Sequence, residues 1–330
     1  MSESARTDHP DDALVRVRNL VKHFKQGGGF LRRNQPIVRA VDGVSFDIER
    51  RRTLGIVGES GCGKTTIGRC ILRLIEPTAG EVSFRGVDML QLPGRQLREL
   101  RRDMQIVFQN PFSSLDPRMS VFGIVGEPLQ THTSMSHGQV RDRVVQLLEQ
   151  VGMSGDHVYR YPHEFSGGQL QRIAVARALA LNPEFLILDE PTAALDVSVQ
   201  AQVIAQLMEL QRDLELTYLF ISHNLTLVHY VSDSIAVVYL GKIVEHASAD
   251  EIFDNPQHPY TEALLSATPS LDRELQQERI ILGGGVPDPA NPPSGCAFHP
   301  RCPRAKDACS QVAPGLVDVG EGHLVACHPE

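Results

Sequence analysis

The chain has 330 residues, of which 42% are hydrophobic and 22% are charged, and its net charge is −8. This composition is ordinary for a folded protein of one large domain or two smaller ones. The acidic balance argues against a general nucleic-acid-binding protein, and no run of about 18 apolar residues, the length that a membrane-spanning helix needs, occurs in the sequence.

The first elements predicted along the chain are strands. Residues 1–12 are polar and acidic, which predicts a disordered N-terminus without a secretory signal or a membrane anchor. Val15 to Phe24 and Val38 to Ile48 have the pattern of strands in an antiparallel sheet, joined through a Gly-rich turn at residues 26–29. Leu54 to Val57 is an apolar run typical of a buried strand.

A phosphate-binding loop follows this buried strand, and a helix is predicted from Lys64. The loop consists of Gly58, Glu59, Ser60, Gly61, Cys62, Gly63, Lys64 and Thr65. Its glycines let successive backbone N–H groups face one anion, and the helix N-terminus adds a partial positive charge. Lys64 is predicted to reach the β- and γ-phosphates of ATP and Thr65 to ligate Mg²⁺, with Thr66 in the same ATP-binding segment.

The middle of the chain alternates short apolar runs with helical patterns, which is typical of a largely parallel sheet. The predicted strands are Gln105 to Phe108, Phe185 to Leu188, Tyr218 to Ser222 and Ile235 to Tyr239. Between Asn110 and about His163, proline and serine turns and a helix near Gln139 to Val151 predict a helical insertion. Ser166 is predicted to cap a helix to about Ala180, and Gly167 and Gly168 leave its first N–H groups open to an anion.

Two carboxylates follow the apolar run that ends at Leu188. Asp189 is expected to hold the Mg²⁺ shell opposite the phosphate loop. Side chains alternate along a strand and the chain turns at Pro191, so Glu190 is expected to face the γ-phosphate instead of the metal. There it can polarise an attacking water as a general base.

After Glu245 the composition shifts to proline, glycine and cysteine. A helix is predicted near Tyr260 to Ala267, with Thr261 as its cap. The last 35 residues hold four cysteines, separated by five, six and seventeen residues: Cys296, Cys302, Cys309 and Cys327. Four thiolates suit tetrahedral zinc or a 4Fe-4S cluster, free structural thiols are a third alternative, and the spacing does not choose among them. A metal would hold together a tail expected to have little apolar core of its own.

These motifs together resemble the ATP-binding cassette (ABC) family. The resemblance lies in the phosphate loop, the Ser166-Gly167-Gly168-Gln169 signature with Arg172, and the Asp189-Glu190 pair that follows. It implies an α/β fold: a P-loop ATPase core with an antiparallel β subdomain, a helical insertion subdomain and a Cys-rich C-terminal extension. The implied domains are residues 13–250, with the helical part at about 110–180, and 251–330.

The resemblance also implies roles for single residues of the ATP site. Phe24 would stack on adenine, Gln109 would ligate Mg²⁺ together with Thr65 and Asp189, and His223 would hydrogen-bond the γ-phosphate. The signature residues Ser166, Gly167, Gly168 and Gln169 would meet ATP held by an opposite subunit, with Asp196 in the loop that crosses the interface.

Two positions depart from the family pattern. Ala193 stands where the family often has serine, and Asn224 stands where aspartate is common. Neither change removes Lys64, Glu190 or His223, the implied catalytic residues, so hydrolysis is expected.

The tail narrows the resemblance further. Residues 255–265 and the cysteine-rich end are similar to the C-terminal extension of peptide-importer ATPases, much of which nickel importers share. This implies an iron–sulfur cluster, with Zn²⁺ as the alternative, and an importer of di- or oligopeptides. The implied partners are a second, related but different ABC ATPase subunit, two transmembrane permease subunits and, indirectly, an extracytoplasmic substrate-binding protein. The implied location is peripheral, on the cytoplasmic face of the cell membrane.

Three other functions remain as alternatives at this point. A nickel or other small-solute importer would share the same motifs. A soluble ABC-class ATPase acting on DNA or ribosomes would carry a long coiled-coil insertion or two cassettes, neither of which the sequence has, and we expect no nucleic-acid partner. An iron–sulfur regulatory protein with a vestigial nucleotide site would lack Lys64 or Glu190, and both are present.

Overall fold

Two β-sheets form the framework of this computed structural model, which describes residues 13–25, 37–267 and 280–328. The predicted disordered segment 1–12 and the Gly-rich turn at 26–29 therefore lie outside the described residues. The strands are β1 Ala13–Lys25, β2 Ile37–Glu49, β3 Thr53–Val57, β4 Ala79–Phe84, β5 Val87–Asp88, β6 Met104–Val107, β7 Phe185–Asp189, β8 Thr217–Ser222, β9 Ser234–Tyr239, β10 Lys242–Ser248, β11 Val317–Asp318 and β12 Leu324–Val325.

Helices cover the sheets and form a separate group between β6 and β7. They are α1 Lys64–Ile71, α2 Gly94–Leu100, α3 Pro111–Ser114, α4 Val121–His132, α5 His137–Gln150, α6 Gly167–Leu179, α7 Val197–Leu214, α8 Leu225–Val231, α9 Ala249–Asp254, α10 Pro259–Ser266 and α11 Asp307–Gln311. In the part of the chain that the structure describes, none of the helices has the length and apolar character needed to cross a bilayer.

The two sheets differ in strand direction, as the sequence predicts. The smaller sheet has the order β2-β1-β4-β5 with antiparallel pairing throughout. The larger sheet has the order β11-β12-β10-β9-β3-β8-β7-β6, and β6, β7, β8, β3 and β9 run parallel. Strands β3, β7 and β8 are buried along their whole length, which is why their sequences read as continuous apolar runs.

The parallel order brings three strand ends to one edge of the large sheet. Val57 of β3 lies beside Ser222 of β8, and Asp189 of β7 lies beside Ile221. In sheets of this kind, ligands bind outside the carboxyl ends of the strands. The phosphate loop, Glu190 and His223 all follow these ends directly.

The inserted helical group packs through apolar helix faces. Helix α5, predicted from Gln139, begins after Ser136, whose hydroxyl accepts a hydrogen bond from the Gln139 N–H. Its buried residues are Val140, Val144, Leu147 and Leu148, a helical spacing that makes one apolar face. This face packs against α4 and α6 in one hydrophobic cluster with the large sheet.

The C-terminal tail buries apolar side chains against the cassette, in the same hydrophobic cluster as the large sheet. Strand β12 pairs with β10 and so extends the large sheet. Phe298, only 1% exposed, lies against the rings of Tyr239 and Tyr260. Apolar burial and strand pairing therefore attach the described tail, whatever its cysteines bind.

The predicted cap of α10 is wrong. The helix begins at Pro259, and its cap is His258, whose Nδ1 accepts a hydrogen bond from the Tyr260 N–H. Thr261 lies inside the first turn and is fully buried. Proline favours the first helical position because its missing N–H would have no helical partner there, which moves the start of the helix ahead of Thr261.

Candidate functional site

The phosphate loop connects β3 to α1 in the conformation that its glycines permit. Gly63, at φ +109°, is in the left-handed region, and a β-carbon there would lie 2.0 Å from the carbonyl oxygen of Ala40. Only glycine fits this position. Lys64 is 4% exposed, and its Nζ donates to the carbonyl oxygens of Gly58 at 2.7 Å and Glu59 at 3.1 Å. The loop therefore holds the Lys64 ammonium in the concave face formed by its own backbone.

Thr65 and Asp189 bring two oxygen groups together beside this loop. The Thr65 hydroxyl donates to Asp189 Oδ1 at 2.8 Å. Asp189 is 2% exposed, and burial raises its pKa, while the hydrogen bond from Thr65 partly offsets that effect. Hydroxyl and carboxylate oxygens are the ligands that Mg²⁺ prefers, so this pair fits the cation that sequence analysis assigned to it.

Glu190 occupies a strained backbone position between Asp189 and Pro191. Its φ is +47°, in the left-handed region that glutamate adopts rarely, and its N–H donates to the Ile221 carbonyl at 2.9 Å. The sequence analysis placed the turn at Pro191, but the backbone already turns at Glu190. Strain of this kind is held by the surrounding structure and recurs at functional sites.

The Glu190 carboxylate is the centre of the candidate site. Gln109 Nε2 donates to its Oε2 at 2.7 Å, and His223 Nδ1 lies 3.5 Å from the same oxygen. Lys64 Nζ lies 3.9 Å from Oε1. Three groups separated widely in sequence thus converge on one carboxylate, an arrangement that can orient a water and stabilise phosphate charge.

The other candidate residues make the following contacts. The signature Ser166 caps α6, and it exchanges hydrogen bonds with Gln169: the Gln169 N–H donates to Ser166 Oγ, and the Ser166 N–H donates to Gln169 Oε1. Gly167 faces Leu195, and Asp196 occupies the N-cap position of α7 without a side-chain capping bond. Phe24, at 37% exposure near the end of β1, has Lys22 Nζ 4.9 Å from its ring centre, so it is not a core residue.

Comparisons with known proteins agree with this geometry. The family model for ABC transporters matches residues 41–193, and the one for the oligopeptide/dipeptide transporter C-terminal region matches residues 244–309. The chain is 49% identical to the oligopeptide transport ATP-binding protein AppF of Bacillus subtilis (strain 168), over 96% of this chain and 97% of that protein. The chain belongs to the ABC transporter family of ATP-binding proteins.

Two further proteins are similar to this ABC protein. It is 49% identical to the dipeptide transport ATP-binding protein DppF of Escherichia coli (strain K12), over 95% of this chain and 93% of that one. The ATP-binding cassette MJ0796, solved as a dimer bound to ADP and Pi, superimposes with a TM-score of 0.63 at 28% identity, covering 71% of this chain and 98% of that one. The ABC protein accordingly has the cassette fold, with an α/β core, an antiparallel sheet and helical parts, and it is an ATPase.

The four tail cysteines of the ABC protein share one pocket. Cys296, Cys302, Cys309 and Cys327 line a cavity of about 470 Å³. The Cys296 N–H donates to the Cys309 carbonyl at 2.7 Å, which ties the loop at Cys296 to helix α11. Burial raises the pKa of the Cys296, Cys302 and Cys327 thiols, and the neighbouring thiols raise it further.

The chemistry and proximity of these four thiols suit a metal, whereas their side-chain arrangement does not yet form a metal site. Among the described residues, no group of three or more His, Cys, Asp or Glu side chains is arranged to hold a metal ion. To bind the expected 4Fe-4S cluster, the thiols would have to move toward one another and lose their protons.

Sequence analysis missed one connection of the ABC protein to its phosphate loop. Arg301 of the tail forms two hydrogen bonds with the Glu59 carboxylate. Because 242 positions separate the two residues, no local pattern could have revealed the contact.

Proposed function

We propose that this ABC protein is the ATP-hydrolysing subunit of an importer for di- or oligopeptides. One observation supports this proposal most strongly. The same chain contains the Glu190-centred cluster and a C-terminal region of the oligopeptide/dipeptide transporter type. The chain matches AppF and DppF along nearly their whole length. The names of these relatives describe oligopeptide and dipeptide transport.

The proposed chemistry follows from the geometry of that cluster. Lys64 and the N–H groups of the loop from Gly58 to Thr66 bind the phosphates of ATP, and Phe24 stacks on the adenine. Thr65, Asp189 and the side-chain amide oxygen of Gln109 would hold Mg²⁺, which would supply positive charge to the phosphates. Glu190 accepts a proton from the attacking water, and His223 donates a hydrogen bond to the γ-phosphate.

The proposed active form is a pair of cassettes. The signature Ser166 to Gln169 lies at a helix start with two glycines, which suits an anion. A second, related ABC subunit would bring its ATP to this position, and Asp196 would contact it across the interface. The dimer of MJ0796 with bound ADP and Pi supports this arrangement.

The proposed assembly continues to the membrane. Two permease subunits would dock on the helical part at about 110–180, on the cytoplasmic face, and an extracytoplasmic binding protein would deliver the cargo to them. The cassette would span 13–250, and the extension 251–330.

The importer function predicts a specific transport defect. In a strain lacking this chain, uptake of labelled di- or oligopeptides should fall to background and return with the wild-type chain but not with Glu190→Gln. The tagged chain should also co-purify from detergent-solubilised membranes with two permeases and a second cassette. Nickel uptake is the matched control: if nickel uptake is lost while peptide uptake is unchanged, the cargo assignment is wrong.

We also propose that the four tail cysteines bind a 4Fe-4S cluster, with Zn²⁺ as the alternative. Their common pocket supports the proposal, because four thiolates complete the ligand set of either metal site. The cluster would add cross-links to a tail that apolar packing already attaches, so its contribution would be to local order around residues 296–327.

Metal analysis tests this assignment directly. Full-length protein purified without oxygen should contain about four iron and four sulfide per chain and absorb visible light. Cys309→Ser should lose most of the iron, whereas Cys70→Ala, a buried cysteine of α1 outside the tail, should retain it. One equivalent of zinc would favour the alternative, and folded protein without either metal would contradict both.

A further inference from the structure

The tail and the phosphate loop meet at Glu59. Arg301 Nη1 donates to Glu59 Oε2 at 2.7 Å, and Nη2 donates to Oε1 at 3.0 Å. Paired bonds between a planar guanidinium and a carboxylate fix direction as well as distance. Glu59 is the second residue of the loop, so this contact lies within the ATP site itself.

The ion pair is partly shielded from solvent, and Tyr239 packs against its arginine. The side chain of Arg301 is 8% exposed and that of Glu59 29%. Arg301 also donates to Tyr239 Oη at 3.4 Å, and its guanidinium lies over the Tyr239 ring. The hydrogen bonds that Arg301 donates to Glu59 raise the pKa of Arg301, so its guanidinium remains a cation. Partial burial makes such a pair stronger than one in open solvent.

A second tail residue holds the backbone of Glu59. The Glu59 N–H donates to Tyr260 Oη at 2.9 Å, and Tyr260 is fully buried against Tyr239 and Phe298. The Glu59 carbonyl in turn accepts from Lys64 Nζ. One residue therefore connects the tail, through its carboxylate and its N–H, to the lysine that is proposed to bind phosphate.

The charge of Glu59 gives this contact a consequence for nucleotide binding. A carboxylate in a loop that binds phosphates opposes their negative charge, and the opposition is strong where water is partly excluded. The Arg301 cation offsets the carboxylate at contact distance. Loss of Arg301 would leave an uncompensated anion in the loop, whereas loss of the Glu59 charge would not.

We infer that Arg301 is a positioning residue for ATP binding, which neutralises Glu59 and fixes the phosphate loop against the tail. The tail thereby takes part in the nucleotide site, beyond any role in recognising an importer partner. The inference rests on the proposed phosphate site at Gly58–Thr65.

Equilibrium binding of a fluorescent ATP analogue to the full-length protein tests the inference. Arg301→Ala should raise Kd about tenfold, the effect expected when a charged hydrogen-bonding partner is removed. Arg301→Lys, which keeps the charge without the paired geometry, should lie between that variant and the wild type. Glu59→Gln should bind at least as tightly as the wild type, and Glu59→Gln added to Arg301→Ala should restore most of the affinity.

The different effects expected for Arg301→Ala and Glu59→Gln distinguish a positioning role in ATP binding from a purely structural contact. A purely structural contact would make Arg301→Ala and Glu59→Gln equally harmful, because each breaks the same pair. In ATPase assays, Arg301→Ala should raise KM more than it lowers kcat. Arg304→Ala is the matched control, since its ion pair with Glu262 lies within the tail region and away from Glu59.

Two outcomes would overturn the inference: unchanged Kd in Arg301→Ala, or no recovery in the double variant when thermal unfolding shows both proteins folded. Lys64→Ala separates this failure from that of the phosphate site. If Lys64→Ala also binds ATP normally, the proposed site is wrong; if Lys64→Ala alone loses binding, only the role of Arg301 is wrong.

Discussion

Replacing Glu190 by glutamine is expected to slow ATP hydrolysis by about 100-fold or more while ATP binding is kept, because a general base contributes about that factor. Glutamine has nearly the same shape and cannot accept the proton of the attacking water. It can still receive the hydrogen bond from Gln109 Nε2, now 2.7 Å from the carboxylate. The strained backbone at residue 190 need not change either, so folding should be preserved.

Single-turnover assays and ATP-binding assays on the same preparation measure the two effects separately. The matched control is Glu209→Gln, which changes an exposed glutamate on α7. Hydrolysis in Glu190→Gln near the wild-type rate would remove Glu190 from its proposed role. Loss of binding together with hydrolysis would indicate a damaged site and would equally contradict the prediction.

Replacing Gly167 by aspartate is expected to abolish ATP-driven pairing of cassettes and to reduce ATPase activity by about 100-fold, the factor typical for loss of a charge-stabilising group. A carboxylate at the start of α6 repels a phosphate arriving from the opposite subunit. The same charge favours a helix N-terminus, so the fold should tolerate it. A β-carbon at this position would meet only the flexible Leu195 Cδ2, at 3.3 Å, and the Phe112 ring, at 3.9 Å.

Gly167→Asn is the matched control, since asparagine has the same size without the charge. Size-exclusion chromatography with ATP, in the Glu190→Gln background that preserves ATP, reports pairing with the partner cassette. The aspartate variant should not pair, whereas the asparagine variant should still pair, though more weakly than the wild type. Normal pairing in the aspartate variant would place the signature away from the partner's phosphate and contradict the two-cassette site.

One departure from the family pattern has a local explanation in the structure. Asn224 caps α8, because its Oδ1 accepts from the Leu227 N–H at 3.1 Å. Asparagine and aspartate are comparable caps, so the helix that follows His223 forms with either residue. Asparagine at position 224 therefore caps the helix after His223 as aspartate would.

The sequence by itself predicted the buried core strands and the phosphate loop that joins β3 to α1. The buried strands at residues 54–57, 185–188 and 218–222 were found because strands covered on both faces are apolar throughout. The phosphate loop and the Ser166 cap were found because their residue types perform local tasks, such as turning the backbone and capping a helix.

Only the tertiary structure decided how the tail is attached. Glu245, after which the sequence changes composition, is fully buried and accepts hydrogen bonds from the N–H groups of Gln257 and His258, with His323 Nε2 at 2.8 Å. Arg301 reaches Glu59 in the same way, from far along the chain. Such contacts depend on the path of the whole backbone, whereas a sequence pattern records only what neighbouring residues require of one another.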